Sequence, residues 1–166
     1  MITAYTTAAW TGLASTVAEA AATLAGLLFV AVSINLRQIL AYPNLPGRAA
    51  QTLITFATAL LAAVFVLVPG QSRIALGVEL AVAGVTIGAG LLVIDVRAGQ
   101  SDQETAMTRM LSRVLPSVAA CGCLTVAGAS LLANGGGGLY WLVPTFVIVI
   151  VSGLGNAWIL LVEIMR

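Results

Sequence analysis

Histidine and lysine are missing from all 166 residues, and acidic and basic side chains together make up only 8% of the chain. These absences remove much of the usual catalytic repertoire. Without them there is no Ser-His triad, no Ser-Lys dyad, no lysine Schiff base and no haem ligation through imidazole. Nor does the sequence carry a G-x-S-x-G turn, a Walker loop or a dinucleotide fingerprint. The glycine run Gly135 to Gly138 has no following Lys-Ser/Thr and is read as a turn. Asp95 and Asp102 fall at or beyond the inner edge of the apolar segments, which argues against a matched pair of intramembrane aspartates. No catalytic residue is therefore assigned, and the chain is not read as an enzyme.

Metals and nucleic acids fare no better. Cys121 and Cys123 are the only cysteines. Two residues apart on a helix they point to nearly opposite faces and cannot bond to each other. Cysteine and carboxylate without imidazole form a poor ligand set, so neither a metal nor a cofactor is expected. The seven arginines form no basic patch, and no nucleic-acid partner is expected.

What remains is apolar. Hydrophobic residues make up 60% of the chain, and its mean hydropathy is +1.08. About 20 apolar residues suffice to cross the hydrocarbon of a bilayer as a helix. Stretches of that kind occupy 8–36, 49–68, 74–95, 114–133 and 139–163. The fold expected is an all-α integral membrane bundle of five helices, a single domain over 1–166. The start lacks the basic region of a signal peptide, so the first segment is read as retained.

Charge placement orients this bundle. With five crossings, Arg37, Arg48, Arg97, Arg109, Arg113 and Arg166 share one side and Arg73 stands on the other. By the positive-inside rule the six-arginine side is cytoplasmic, with the N-terminus outside and the C-terminus inside. Tyr5, Trp10, Tyr140 and Trp141 then form an outer aromatic belt and Tyr42 marks the inner face. Arginine without lysine, with abundant Ala, Val and Gly, fits a protein of a bacterial inner (plasma) membrane. Ser101 and Glu104 fit a capping box at the start of a helix that leads into the fourth segment. Arg109 and Arg113 would meet anionic lipid there, and Pro116 is expected to kink that helix. The turn through Pro43, Asn44 and Pro46 is short and proline-braced.

Two carboxylates interrupt the apolar segments, Glu19 and Glu79. An ionisable side chain near the bilayer centre costs roughly 2.5–3.5 kcal/mol on insertion scales, which makes both candidate functional residues. Residues seven apart drift only about 20° around a helix, so Gly12, Glu19, Gly26 and Ser33 share one stripe, continued by Arg37. Leu24, Leu27, Leu28 and Val32 lie opposite, as a lipid-facing or packing surface. Three placements fit Glu19: on a hydrated path, paired inside the bundle, or in the outer headgroup layer. Glu79, near Arg73, fits the interface best. Further small or polar stripes run through Gln51, Thr55, Thr58 and Ala62, through Ala83, Thr86 and Gly90, and through Thr145, Ser152, Asn156 and Glu163. Such stripes serve as close-packed interfaces or as water-lined paths. Asn35 and Asn156 are expected to bond between helices, and Trp158 to pack.

Two functions are consistent with this pattern. One is a homo-oligomeric channel or ion-conducting protein, with Glu19, Gly26, Ser33, Arg37, Glu79 and Asn156 as its ion pathway and polar lining. The other is an accessory or scaffold subunit of a larger membrane complex, without transport of its own. The expected partners are membrane lipids and either further copies or other membrane subunits. A small-solute exporter is disfavoured, because no two-half repeat is visible.

Overall fold

The computed structural model describes residues 2–42, 45–98, 110 and 114–164. Among them, five helices are long and apolar enough to cross a membrane, and no strand occurs. They are α1 (Thr11–Ile34), α3 (Leu45–Leu67), α4 (Arg73–Ala98), α5 (Leu115–Ala133) and α6 (Leu142–Ile164); the short α2 (Leu36–Ala41) joins the first two. The apolar segments read from the sequence thus become helices, with ends shifted by a few residues.

Local chemistry explains where each helix stops. At Asn35 the backbone leaves the helical region (φ −100°, ψ 19°), and its amide Nδ2 donates back to the Ala31 carbonyl at 2.9 Å. Asn35 therefore closes its own helix and, among the described residues, bonds to no neighbouring one. Pro69 and Gly70 follow α3, and Gly70 takes φ +69°, which glycine tolerates without strain. Ser72 then caps α4, its hydroxyl accepting from the Ala75 N–H at 3.1 Å. Asn134 ends α5 in the left-handed conformation, φ 54°. The hydroxyl of Ser130 accepts from the Gly138 N–H at 2.7 Å and donates to the Gly135 carbonyl, which holds the glycine turn closed. Pro116 sits in the first turn of α5, where a missing N–H removes no helical bond.

α3 is the central helix: half of its spanning window is buried, and it packs against α1, α4 and α6. Its middle is dry, since Phe56, Ala59, Ala62, Ala63 and Val66 are each no more than 1% exposed. Around it the apolar core splits into two clusters. One, centred on Trp10, Val17, Leu80, Leu124 and Leu139, fills the end that carries the aromatic residues. The other, formed by Leu28, Ile39, Leu45, Phe56 and Leu160, fills the end that carries Arg37 and Arg48.

The most extensive helix pair is α4 on α5, and small residues make it possible. A Cβ added at Gly77 would meet Leu132, at Gly84 the Thr125 backbone, at Gly88 Cys121, and at Gly128 the backbone of Ala81. These pairs step in opposite directions along the two chains, so the helices run antiparallel in close backbone contact. Gly84 and Gly88 are a small-xxx-small pair. The seam lies on a different face of α4 from the stripe Ala83, Thr86 and Gly90, and Thr86 and Gly90 are exposed. Gly153 serves α6 similarly, because the ring of Phe56 lies where its Cβ would project.

Candidate functional site

α1 is the least buried of the five spanning helices. Its buried residues, Ala14, Val17, Ala21 and Leu28, form one stripe against α3. Glu19 stands two residues from Val17 and two from Ala21, a rotation of about 200° in each direction. It therefore points away from the bundle. Glu19, Gly26, Ser33 and Arg37 are all exposed, and nothing lies within 4 Å of a Cβ added at Gly12 or Gly26. The leucine side is the packed side: Leu28 is 4% exposed and Leu24 and Val32 pack against it, although Leu27 remains exposed. Glu19, Gly26 and Ser33 share a face as the sevenfold spacing requires, and that face is the outer surface of the bundle; Arg37 lies in α2, beyond the break at Asn35.

Two contacts set the depth of Glu19 along the bundle. Trp10 and Tyr140 meet edge to face with ring centroids 5.0 Å apart, and the Trp10 indole donates to the Thr3 carbonyl at 2.7 Å. The start of α1 is thus level with the start of α6. Glu19 lies nine residues further on, about 13 Å along the helix axis. Among the described residues no side chain donates to its carboxylate; the nearest polar neighbours satisfy themselves. Ser15 and Thr16 donate to the Gly12 carbonyl, Thr23 to that of Glu19 and Ser33 to that of Phe29.

Glu79 is different. It is half-buried near the start of α4, and its carboxylate accepts from the Gln71 amide in the preceding loop. Close by, Arg73 donates to the Asn134 side chain across to the α5–α6 turn. Glu79 thus belongs to the loop network at the aromatic end, remote from the outward stripe of α1.

A second polar group gathers at the arginine end, inside the bundle. Gln51 and Thr52 of α3 are 3% and 1% exposed, and Asp95 of α4 is 4% exposed. The Gln51 amide donates to Asp95 Oδ2 at 3.3 Å. Arg48, Gln51, Thr52, Asn156 and Ile159 enclose a small polar pocket. Asp95 stands three residues from the end of α4, and its side chain turns in against α3. Its readable signal was the register of Gln51 and Thr55, both buried on the α3 stripe. Among the polar stripes, the α3 one is buried throughout and serves packing. Trp158, expected to pack, is 70% exposed on the outside of α6.

Ser101, Asp102, Glu104, Arg109, Arg113, Arg166, Pro43 and Asn44 lie outside the described residues, as do the side chains of Arg97 and Glu163. The chain matches no protein-family profile, no curated protein and no solved structure.

Proposed function

We propose that this chain is a multi-pass plasma-membrane protein that assembles with copies of itself through the outward face of α1, and that the shared face conducts ions. The N-terminus is outside and the C-terminus cytoplasmic, as the arginine distribution requires. The observation that carries this reading is the position of Glu19. It faces outward, and it lies about 13 Å below a ring pair of the kind that sits at the headgroup level. With a hydrocarbon layer about 30 Å thick, on this reading Glu19 lies within its outer half. A carboxylate facing lipid at that depth is unfavourable by kilocalories. A second polar surface or water removes the cost.

The dry middle of α3 supports a path between protomers over one within a protomer. A ring of Glu19 carboxylates is the kind of arrangement that selects cations. Gly26 and Ser33 line the path further inward, and Arg37 stands at its inner mouth. Glu79, bonded to Gln71 at the aromatic end, is left outside this path.

One observation favours a second reading, an accessory subunit that covers the same face with another protein. The stripe hydroxyls of Ser15, Thr16, Thr23 and Ser33 are bonded to their own helix and need no water. Gentle detergent extraction followed by mass measurement separates the two. Several copies of this chain alone, with ion flux after reconstitution, support conduction. Co-purification of unrelated subunits supports the accessory role, and a single copy without flux overturns both.

A further inference from the structure

The outer surface of α6 carries an apolar groove of about 390 Å³, lined by Val147, Val151, Gly155 and Ile159 of α6 and by Pro116 of α5. From Val147 to Ile159 it follows the helix for about 18 Å. Asn156 and Ile159 line both this groove and the polar pocket that contains Arg48, Gln51 and Thr52. An extended apolar trough therefore runs from the first third of α6 and ends, at the arginine end, beside a guanidinium and an amide. The polar pocket itself holds about 10 Å³, room for about one water and too small for a phosphate, and the half-exposed Arg48 borders it. Among the described residues the Asn156 amide makes no hydrogen bond, which leaves it as a donor at the junction.

We propose that groove and pocket together form a site for one anionic phospholipid, its acyl chain along Val147 to Ile159 and its phosphate on Arg48. The order of the two parts matches a lipid of the cytoplasmic leaflet: charge at the arginine end, tail toward the bundle centre. Basic pockets between membrane helices on the cytoplasmic side bind anionic headgroups in this way. An arginine near such a surface favours the anionic lipid by about fivefold. The site is independent of the α1 face and stands whether or not the protein conducts.

The test is native mass spectrometry of the purified protein titrated with phosphatidylglycerol or phosphatidylcholine of identical acyl chains, and with glycerol phosphate alone. One phosphatidylglycerol is expected to be retained about fivefold more strongly than phosphatidylcholine, and glycerol phosphate not at all. Arg48→Gln should reduce phosphatidylglycerol to the level of phosphatidylcholine. Nothing lies within 4 Å of a Cβ at Gly155, so Gly155→Leu fills the groove without disturbing the fold and should weaken both lipids. Equal retention of the two lipids by the parent overturns the proposal. So does binding of glycerol phosphate alone, or a Gly155→Leu variant that keeps both lipids. Should Arg48→Gln fail to fold, the parent lipid comparison and Gly155→Leu still decide.

Discussion

Trp10 and Tyr140 stand edge to face at the aromatic end, 5.0 Å between ring centroids and 83° between ring planes. An edge-to-face pair contributes about 0.5–1.5 kcal/mol beyond the area it covers. Its larger consequence is positional. It sets the height of α1, and with it the depth of Glu19, although the two residues are nine positions apart.

Removing that anchor should loosen α1 first. Trp10 is 8% exposed and belongs to the larger core cluster. Trp10→Ala is expected to cost about 3 kcal/mol, measured as the loss of thermal stability in detergent. The α1 amides should gain hydrogen exchange before those of α4 and α5.

Two glycines should respond oppositely to the same change. A Cβ at Gly84 would approach the Thr125 nitrogen to 2.8 Å and the Cys121 carbonyl to 2.9 Å. Gly84→Val is therefore expected to pry α4 from α5 and destabilise the bundle by about 1–3 kcal/mol or more. Gly26 meets nothing within 4 Å. Gly26→Val should leave protomer stability unchanged and reduce the mass of the assembly in gentle detergent.

Gln51 and Asp95 should behave as a coupled pair. Truncating either removes a buried hydrogen bond from the other, so Gln51→Ala or Asp95→Ala is expected to cost about 1–3 kcal/mol. The double variant should cost less than the sum of the two, read from thermal unfolding of all four proteins in a mutant cycle.

Glu79 should matter less than its acidity suggests. It is half-buried and already bonded to Gln71 near the end of its helix. Glu79→Gln keeps an acceptor for that amide and is expected to change stability by under about 1 kcal/mol, with ion selectivity nearly unaltered.

Much of this fold was legible because a bilayer leaves few choices. Apolar runs of this length become helices, and Pro69-Gly70 and the Asn134–Gly138 segment end them for reasons visible in the residues themselves. The sevenfold stripe of Glu19, Gly26 and Ser33 also read correctly as one face. Which way that face turned was not legible. Small and polar residues suit either a close contact or a wet surface, and only the packing of α3 against Ala14, Val17 and Ala21 decides it. The glycine seam of α4 was hidden for a related reason: Gly77, Gly84 and Gly88 interleave with the polar stripe on the same helix. The burial of Asp95 was not legible from its own position, which near the end of α4 says nothing about which neighbour it turns toward. Trp158 shows the converse, since a large aromatic residue in lipid needs no protein partner.

The most direct test of conduction through the α1 face is the reversal potential of the reconstituted protein under a salt gradient, recorded for the parent and for Glu19→Gln. A ring of carboxylates at this depth is expected to make the parent prefer cations and the variant lose most of that preference while keeping its assembled mass. Identical reversal potentials in the two proteins would contradict it.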